Sequence, residues 1–260
     1  PGNTRNEGLD MATGDYVTFM DHDDWQELDK YEKMMAKAAE HNADIVFCCA
    51  EEYDVENNRT YNTEKIPAGF PGGGLKIIDS FQKRSLFLTS FHPPWSKIVR
   101  SELIKNNNVR FSGGANKSDD VLFHYHLGLV AKSVFYIDEI LYTHRFFSQS
   151  ICGQYRDNGT KMIEDRFHTW QDIEKLCEQL NIFQQEILAS YVREFGIFCF
   201  SAKNPKPFCQ KASSIIRSAG MKEEDFPEHT RKFYRRISKY SWLRHKLRKL
   251  KKSIKAALRK

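Results

Sequence analysis

The sequence predicts an α/β domain over residues 1–150, followed by an all-helical region at 151–230 and a basic amphipathic tail at 231–260. In the first part, short apolar segments rich in aromatic and β-branched residues alternate with helical segments, an order typical of α/β units with a parallel sheet. After Ser150, helical periodicities at 162–180 and 183–200 follow each other without a strand signal, which places the boundary near residues 152–158.

The predicted elements of the α/β domain are short and are bounded by Gly, Asn and Asp. Asn57-Asn58 predicts the turn of an antiparallel hairpin, and glycines at 72–74 and 113–114 predict loops. In chain order, we predict a helix at 5–12, a strand at 16–20, an amphipathic helix at 27–41, a strand at 44–49, a hairpin at 51–63, a helix at 81–88, a strand at 95–99, helices at 102–106 and 119–130, and strands at 134–137 and 141–144.

The composition is that of a soluble globular protein, with 40% hydrophobic and 28% charged residues. No apolar run is long enough for a transmembrane helix, and no signal peptide is recognisable. The six cysteines form no CxxC pair and no zinc spacing, which favours reduced core cysteines in a cytosolic protein.

The net charge of +6 is distributed unevenly along the chain. Residues 231–260 hold 14 Lys and Arg with no Asp or Glu, whereas residues 1–230 hold 26 basic and 34 acidic residues, a net charge of −8. Tail leucines recur at helical spacing, so we expect an amphipathic helix on an anionic membrane surface. Nucleic-acid binding is disfavoured because the body is acidic and carries no recognition motif, and a disordered solubilising tail is the third alternative.

An acidic cluster follows the predicted strand at 16–20. Asp21, Asp23 and Asp24 would lie at the carboxyl end of this strand, where open α/β sheets bind their ligands. Carboxylates shared with a substrate phosphate are typical ligands of Mg²⁺ or Mn²⁺. The alternative is an Asp-rich turn that caps the next helix. Haloacid-dehalogenase-type phosphatases also end a strand with Asp-x-Asp, but a Thr or Val follows there, whereas Asp24-Trp25 follows here.

The segment from Gly2 to Trp25 resembles family 2 glycosyltransferases of the bacterial surface-polysaccharide type. Their pattern has a small residue before Arg-Asn, then Gly-Leu, Ala, Gly, an apolar strand and Asp-x-Asp-Asp, and here it is matched without gaps. Three later segments resemble the family's Trp-x-Lys strand, its Glu-Asp-x-x-Phe segment and its closing Tyr-x-Tyr-Arg strand. They are Trp95–Arg100, Ser118–Phe123 with Asp119 replacing Glu, and Tyr136–Arg145 with His144 replacing the second Tyr.

The resemblance implies a Rossmann-like A-type glycosyltransferase fold that lacks its first strands here, roughly 60–90 residues at about 30 per βα unit. It also implies inverting transfer from a nucleotide-sugar, with a divalent metal (Mn or Mg), to a saccharide or lipid-linked acceptor. The implied catalytic residues are Asp120 as general base and its neighbour Asp119. The implied metal ligands are Asp21, Asp23 and His144, and the implied substrate-binding residues are Arg5, Asn6, Asp21, Trp95, Lys97 and Arg145. The alternative function is a non-catalytic fragment that binds membranes or nucleic acid through its basic tail.

Overall fold

The computed structural model describes residues 1–64, 74–77, 81–90, 93–113, 119–150, 159–182 and 184–240. Its helices, numbered in chain order, are α1 (Gly2–Met11), α2 (Lys30–His41), α3 (Phe81–Leu88), α4 (Ser101–Asn106), α5 (Asp119–Val130), α6 (Gly159–Gln179), α7 (Gln184–Phe198), α8 (Lys206–Ser218) and α9 (Glu228–Ser238). Its strands are β1 (Tyr16–Thr18), β2 (Trp25–Gln26), β3 (Ile45–Asp54), β4 (Arg59–Glu64), β5 (Gly74–Lys76), β6 (Lys97–Arg100) and β7 (Ser133–Phe146).

The predicted α/β class with a helical C-terminal region is confirmed. Helices α3 and α5 have the predicted ends, and the hairpin turns where Asn58 adopts a left-handed conformation with φ of 50°. The predicted loop residues 71–73 and 114, the boundary at 152–158 and tail residues 241–260 lie outside the described residues. The division at 150 and 230 stays a prediction.

The sheet is mixed rather than parallel. Its order is β1-β6-β3-β7-β2, with β4 paired to β3 and β5 paired to β7. Among the strands of the described residues, only β3 and β7 pair in parallel, because β6 inserts between β1 and β3 and runs antiparallel to both. The predicted strand–helix–strand unit does exist, since β1 and β3 run in the same direction, but a strand from later in the chain separates them.

Strands β3 and β7 are each longer than predicted, and they connect the two halves of the sheet. The sequence predicts breaks near residue 50 and at 138–140, but both strands continue through these positions with register shifts on either side of Cys49. Beyond the shifts, β7 pairs with β2 on one side and with the far half of β3 on the other. This continuity brings Tyr142, His144 and Arg145 next to the acidic segment that precedes β2.

One hydrophobic core extends from the α/β part into the helical region. Its buried side chains run from Leu9 in α1, through Phe47 and Tyr125, to Ile237 in α9. The cysteines in the described part, at positions 48, 49, 177, 199 and 209, are buried, as predicted, and form no disulfide with one another. None of the helices in the described part of the chain is long and apolar enough to span a membrane.

The helical region depends on a close approach between α7 and α9. A β-carbon placed on Gly196 would lie 2.5 Å from Cβ and 2.8 Å from Cδ1 of Phe233. The position of Cβ is set by the backbone of α9, so the contact cannot be relieved by a rotamer change alone. The absence of a side chain at position 196 therefore sets how closely the two helices pack.

We expect Gly196→Ala to lower the free energy of unfolding by about 1–3 kcal/mol, because the added methyl group pushes α9 away from α7. Chemical denaturation measures this change. Gly8→Ala in α1 is the matched control: nothing lies within 4 Å of its new β-carbon, and alanine is the better helix former by about 1 kcal/mol. A Gly196→Ala protein as stable as the Gly8→Ala protein would contradict this account of the packing.

Candidate active site

The acidic segment forms a turn that strand β7 holds from two directions. The backbone N–H of Asp24 donates to the carbonyl of Asp21 at 3.2 Å, which closes the turn. The buried carboxylate of Asp24 accepts hydrogen bonds from the Tyr142 hydroxyl at 2.7 Å and from the Arg145 backbone N–H at 2.8 Å. Burial raises the pKa of Asp24, and these two donors oppose the rise. Asp24 therefore anchors the turn to β7.

The carboxylate of Asp23 is left available by this arrangement. The guanidinium of Arg145 donates to the backbone carbonyl of Asp23 at 3.0 Å, which fixes the backbone but not the side chain. In the described part of the chain, no group donates to or pairs with the Asp23 carboxylate, and the residue is partly exposed. An oriented carboxylate without a protein partner is suited to bind a cation.

Arg5 connects the two acidic motifs that the sequence separates. Its Nη2 lies 3.1 Å from Oδ1 of Asp21, and its Nη1 lies 3.0 Å from Oδ2 of Asp119. Its guanidinium carbon also lies 5.5 Å from the centre of the Phe111 ring. The planar fork of an arginine suits this double contact, which a lysine could not reproduce. The predicted donor-side and base-side residues thus meet at one side chain.

Asp119 and Asp120 begin helix α5 in different surroundings. Asp119 is buried and paired to Arg5, whereas Asp120 is partly exposed. Burial raises the pKa of both carboxyl groups. Around Asp120 the rise is opposed by Arg166, Arg5 and Lys97. No side chain of the described residues forms a hydrogen bond or ion pair with the Asp120 carboxylate, so it can accept a proton from a bound molecule.

Trp95 and His144 lie in one aromatic stack with Tyr142. The rings of Trp95 and Tyr142 are 4.1 Å apart and nearly parallel, and the ring of His144 lies 5.9 Å from that of Trp95. Only 5% of Trp95 is exposed, so its ring is part of the core and packs against Tyr142. The implied substrate-binding role of Trp95 stays a prediction.

Lys30 is a site-supporting residue that the sequence reasoning missed. It is fully buried, donates to the Trp95 carbonyl at 2.7 Å, and lies 4.5 Å from the centre of the Tyr142 ring. Burial lowers the pKa of Lys30 to about 8. The sequence spacing of Lys30 could have indicated its burial, because Lys30, Met34 and Ala38 follow one another at four-residue intervals on the buried face of α2.

Asn6 and Lys97 are held by contacts within the protein. The Asn6 side chain donates to the Phe111 carbonyl at 3.1 Å and accepts from the Phe111 N–H at 2.9 Å, which fixes α1 against the segment before α5. Lys97 is buried and donates to the Pro93 carbonyl at 2.9 Å and to the Ser96 hydroxyl at 3.1 Å, and burial lowers its pKa to about 7. Their roles in substrate binding stay predictions.

The residues of the acidic turn fit part of a divalent-metal site. Within the described residues, no three His, Cys, Asp or Glu side chains are grouped closely enough to hold a metal by themselves. His144 is therefore not assembled with Asp21 and Asp23, and its ligand role stays a prediction. Mg²⁺ and Mn²⁺ sites commonly use one or two carboxylates and take their other ligands from substrate phosphates and water. Asp23, with Asp21 beside it, meets that requirement.

Residues 1–106, which include Arg5 and the acidic turn, match the family described as glycosyl transferase family 2. The chain carries a glycosyltransferase family 2 domain. EpsH of Bacillus subtilis, named as a glycosyltransferase, is 24% identical over 281 aligned residues that cover 92% of this chain and 78% of EpsH. The GalNAc(5)-diNAcBac-PP-undecaprenol beta-1,3-glucosyltransferase of Campylobacter jejuni is 26% identical over 57% of this chain and 44% of that enzyme. Several curated relatives are matched over only about half of their own length.

The fold of this glycosyltransferase domain and its helical continuation is shared with a solved structure. A crystal structure of S. aureus TarS 1–349 in complex with UDP-GlcNAc superposes with a TM-score of 0.53 at 18% identity, covering 92% of this chain and 71% of that one. At this identity the likeness concerns the fold alone. Because the match spans most of the chain, it includes the helical region as well as the sheet.

We expect Arg5→Met to lower the free energy of unfolding by about 1–3 kcal/mol at neutral pH, since it leaves the buried Asp119 carboxylate without its partner. The loss should shrink as the pH falls through the raised pKa of Asp119, because a protonated carboxyl group no longer needs the guanidinium. Denaturant titrations across pH measure both effects.

Arg110→Met is the control for that measurement. Arg110 pairs with Asp10 at 2.6 Å, but the two side chains are 39% and 63% exposed, so we expect a change below about 0.5 kcal/mol. Equal losses for the Arg5 and Arg110 variants, or a loss for Arg5→Met that does not vary with pH, would show that the Arg5 bridge does not stabilise the fold as described.

Proposed function

We propose that this protein is an inverting, metal-dependent glycosyltransferase. It moves a sugar from a nucleotide-sugar, with a UDP-sugar as the first choice, to a saccharide or lipid-linked acceptor in cell-surface polysaccharide synthesis. The observation that carries the proposal is the Arg5 bridge, which joins the Asp21 turn to the Asp119-Asp120 pair. Among the described residues it leaves the carboxylates of Asp23 and Asp120 without side-chain partners, and we assign them to the two sides of one site.

Asp23 and Asp21 form the donor side of the proposed site. A bound Mg²⁺ or Mn²⁺ would neutralise the diphosphate that leaves with the nucleotide. Asp23 would hold the cation. The Asp21 carboxylate, which pairs with Arg5, would face the same cation. The role of Tyr142 and Arg145 is to fix the backbone of the turn, because they bind the Asp21 N–H at 3.2 Å and the Asp23 carbonyl at 3.0 Å.

Asp120 is the proposed general base. It takes the proton from the acceptor hydroxyl while that oxygen attacks the anomeric carbon on the face opposite the diphosphate. The bond to the diphosphate breaks with its electron pair, and the configuration inverts. A placed base is worth about 10²–10⁴ in rate. The neighbouring side chains Arg166, Arg5 and Lys97 oppose the rise of the Asp120 pKa that burial causes. The charge of Asp120 in turn raises the pKa of the neighbouring Asp119 carboxyl group.

The compared proteins support the choice of substrates to test. TarS binds UDP-GlcNAc in the crystal, so UDP-GlcNAc and other UDP-sugars are the first donors. The C. jejuni relative acts, by its name, on a saccharide carried by a diphosphate-linked lipid, which supports a lipid-linked acceptor. The donor sugar and the linkage are left to the assay.

We expect Asp23→Asn and Asp120→Asn to lower kcat/KM by at least about 100-fold each, for different reasons. The Asp23 change weakens cation binding, so added Mn²⁺ should recover part of the activity, whereas the Asp120 change removes the base and should not respond to metal. UDP release with and without EDTA measures both. Asp15→Asn, an exposed acid of the same domain, is the control and should act as wild type. Turnover insensitive to EDTA and to Asp23→Asn would reject the metal role.

Membrane attachment through residues 231–260 belongs to the same proposal and places the enzyme on the cytoplasmic face of the membrane. In the described start of this segment, Lys232, Arg235 and Arg236 are exposed on α9. Each basic residue near an anionic surface contributes about 1 kcal/mol. The second candidate function, a non-catalytic module that binds membranes or nucleic acid, rests on the same excess of 14 basic residues.

We expect the protein to bind phosphatidylglycerol-containing vesicles in a salt-dependent way and to bind pure phosphatidylcholine vesicles weakly. The triple change Arg244→Glu, Arg248→Glu and Lys251→Glu should weaken binding at least about tenfold. The control carries the same charge change on the body, at Lys37, Lys105 and Lys175. Sedimentation with vesicles measures the binding. Equal binding by the two variants, or stronger binding to DNA than to vesicles at the same salt, would contradict the membrane role.

A further inference from the structure

One face of the sheet beside the acidic turn carries an exposed tryptophan next to a half-buried tyrosine. Trp25 is 49% exposed, whereas the other tryptophans of the described residues, Trp95 and Trp170, are 5% and 1% exposed. The ring of Tyr53 lies 5.3 Å from that of Trp25 at an angle of 49°. Large aromatic side chains are usually covered in a folded domain, so the exposed ring of Trp25 beside the ring of Tyr53, next to the proposed substrate site, indicates a binding surface.

The strand register explains why these side chains share a face. Trp25 of β2 and Glu51 of β3 both lie opposite Thr143 of β7, and Tyr53 lies opposite Arg145. Opposite residues point to the same side of a sheet, and so do residues two apart on one strand. Trp25, Glu51, Tyr53, Thr143 and Arg145 therefore form one continuous surface, which we call the Trp25 platform.

The polar groups of the Trp25 platform complement its rings. The Thr143 hydroxyl donates to Oε1 of Glu51 at 3.2 Å, and in the described part of the chain this is the only hydrogen bond of the Glu51 carboxylate. The guanidinium carbon of Arg145 lies 5.0 Å from the centre of the Trp25 ring. The surface thus offers flat apolar rings next to a hydrogen-bond acceptor and a cation.

Hydrogen bonds within the β3–β4 turn fix the geometry of the Trp25 platform. The Tyr53 hydroxyl donates to the Asn58 side chain across the β3–β4 turn. The Asp54 carboxylate holds the same turn by accepting from the Asn57 backbone at 3.0 Å and from its side chain at 2.8 Å. A surface ordered in advance loses little conformational freedom when it binds.

We infer that the Trp25 platform binds a sugar ring of the acceptor saccharide. A sugar ring presents C–H groups on its face and hydroxyl groups on its edge, which match the aromatic rings and the free oxygen of Glu51. The platform is also continuous with the proposed donor site, because Trp25 directly follows Asp24 and Arg145 binds the Asp23 carbonyl at 3.0 Å. This inference rests on the proposed function for the identity of the ligand as an acceptor.

Saccharide binding can be measured without turnover. Chitotriose, cellotriose, laminaritriose and maltotriose are titrated up to about 10 mM, the range of weak contacts, and followed by ligand-observed NMR. We expect at least one trisaccharide to bind, Trp25→Ala and Tyr53→Ala to bind it at least about tenfold more weakly, and Trp25→Phe to recover most of the affinity. Met11→Ala, which removes another exposed apolar side chain, is the control. Thermal unfolding checks that each variant is folded.

The Asp120→Asn protein separates this inference from the proposed function. It should bind the saccharide as wild type does, although it lacks turnover, because the base lies outside the platform. Trp25-dependent binding in a protein that transfers no sugar would support the platform and reject the enzyme. Binding by none of the four saccharides, or equal binding by Trp25→Ala and wild type, would overturn the platform. A change of oligomeric state in Trp25→Ala with unchanged saccharide binding would overturn it too, by assigning the face to contacts between copies.

Discussion

The Arg5 bridge is the interaction on which the arrangement of the site depends. It joins Asp21, 16 residues away, to Asp119, 114 residues away, at 3.1 and 3.0 Å. Without a cation between them, two carboxylates in a partly buried site would repel each other, and each would be costly to bury. Because the guanidinium satisfies these two, the carboxylates of Asp23 and Asp120, which have no side-chain partner among the described residues, are available for the proposed metal and proton chemistry. The same contact therefore serves stability and the proposed reaction.

Strand β7 is the second constraint, because it acts on the acidic turn from both faces of the sheet. Tyr142 and Arg145 point to opposite sides, yet both reach the turn: the Tyr142 hydroxyl and the Arg145 N–H bind the two oxygens of Asp24. Because the strand is twisted, the backbone N–H of one of its residues and the side chain of another can both reach the same turn. The uninterrupted run of β7 through Asp138 and Glu139 makes this geometry possible.

Local signals were sufficient for much of this molecule. The ends of α3 and α5, the Asn58 turn and the acidic motif were all readable from residue order and periodicity. The strand ends near residues 50 and 138–140 were wrong, and the order of the strands could not be predicted because it is non-local. No local pattern shows that β6 inserts between β1 and β3, because antiparallel pairing in that position depends on residues about 80 apart in sequence, such as Val17 and Val99. The paired contacts of Asn6 with Phe111 could not be predicted for the same reason.

The charge balance at Asp120 connects the helical region to the chemistry of the sheet. Burial raises the pKa of this carboxyl group, and the cations that oppose the rise come from three separate parts of the chain: Arg5 in α1, Lys97 in β6 and Arg166 in α6. Arg166 lies beyond residues 1–106, and its own position is held by Glu194 of α7 at 3.2 Å. Helices α6 and α7 are thus more than a covering for the core, because Arg166 of α6, held by Glu194 of α7, contributes to the electrostatic environment of the Asp120 carboxyl group.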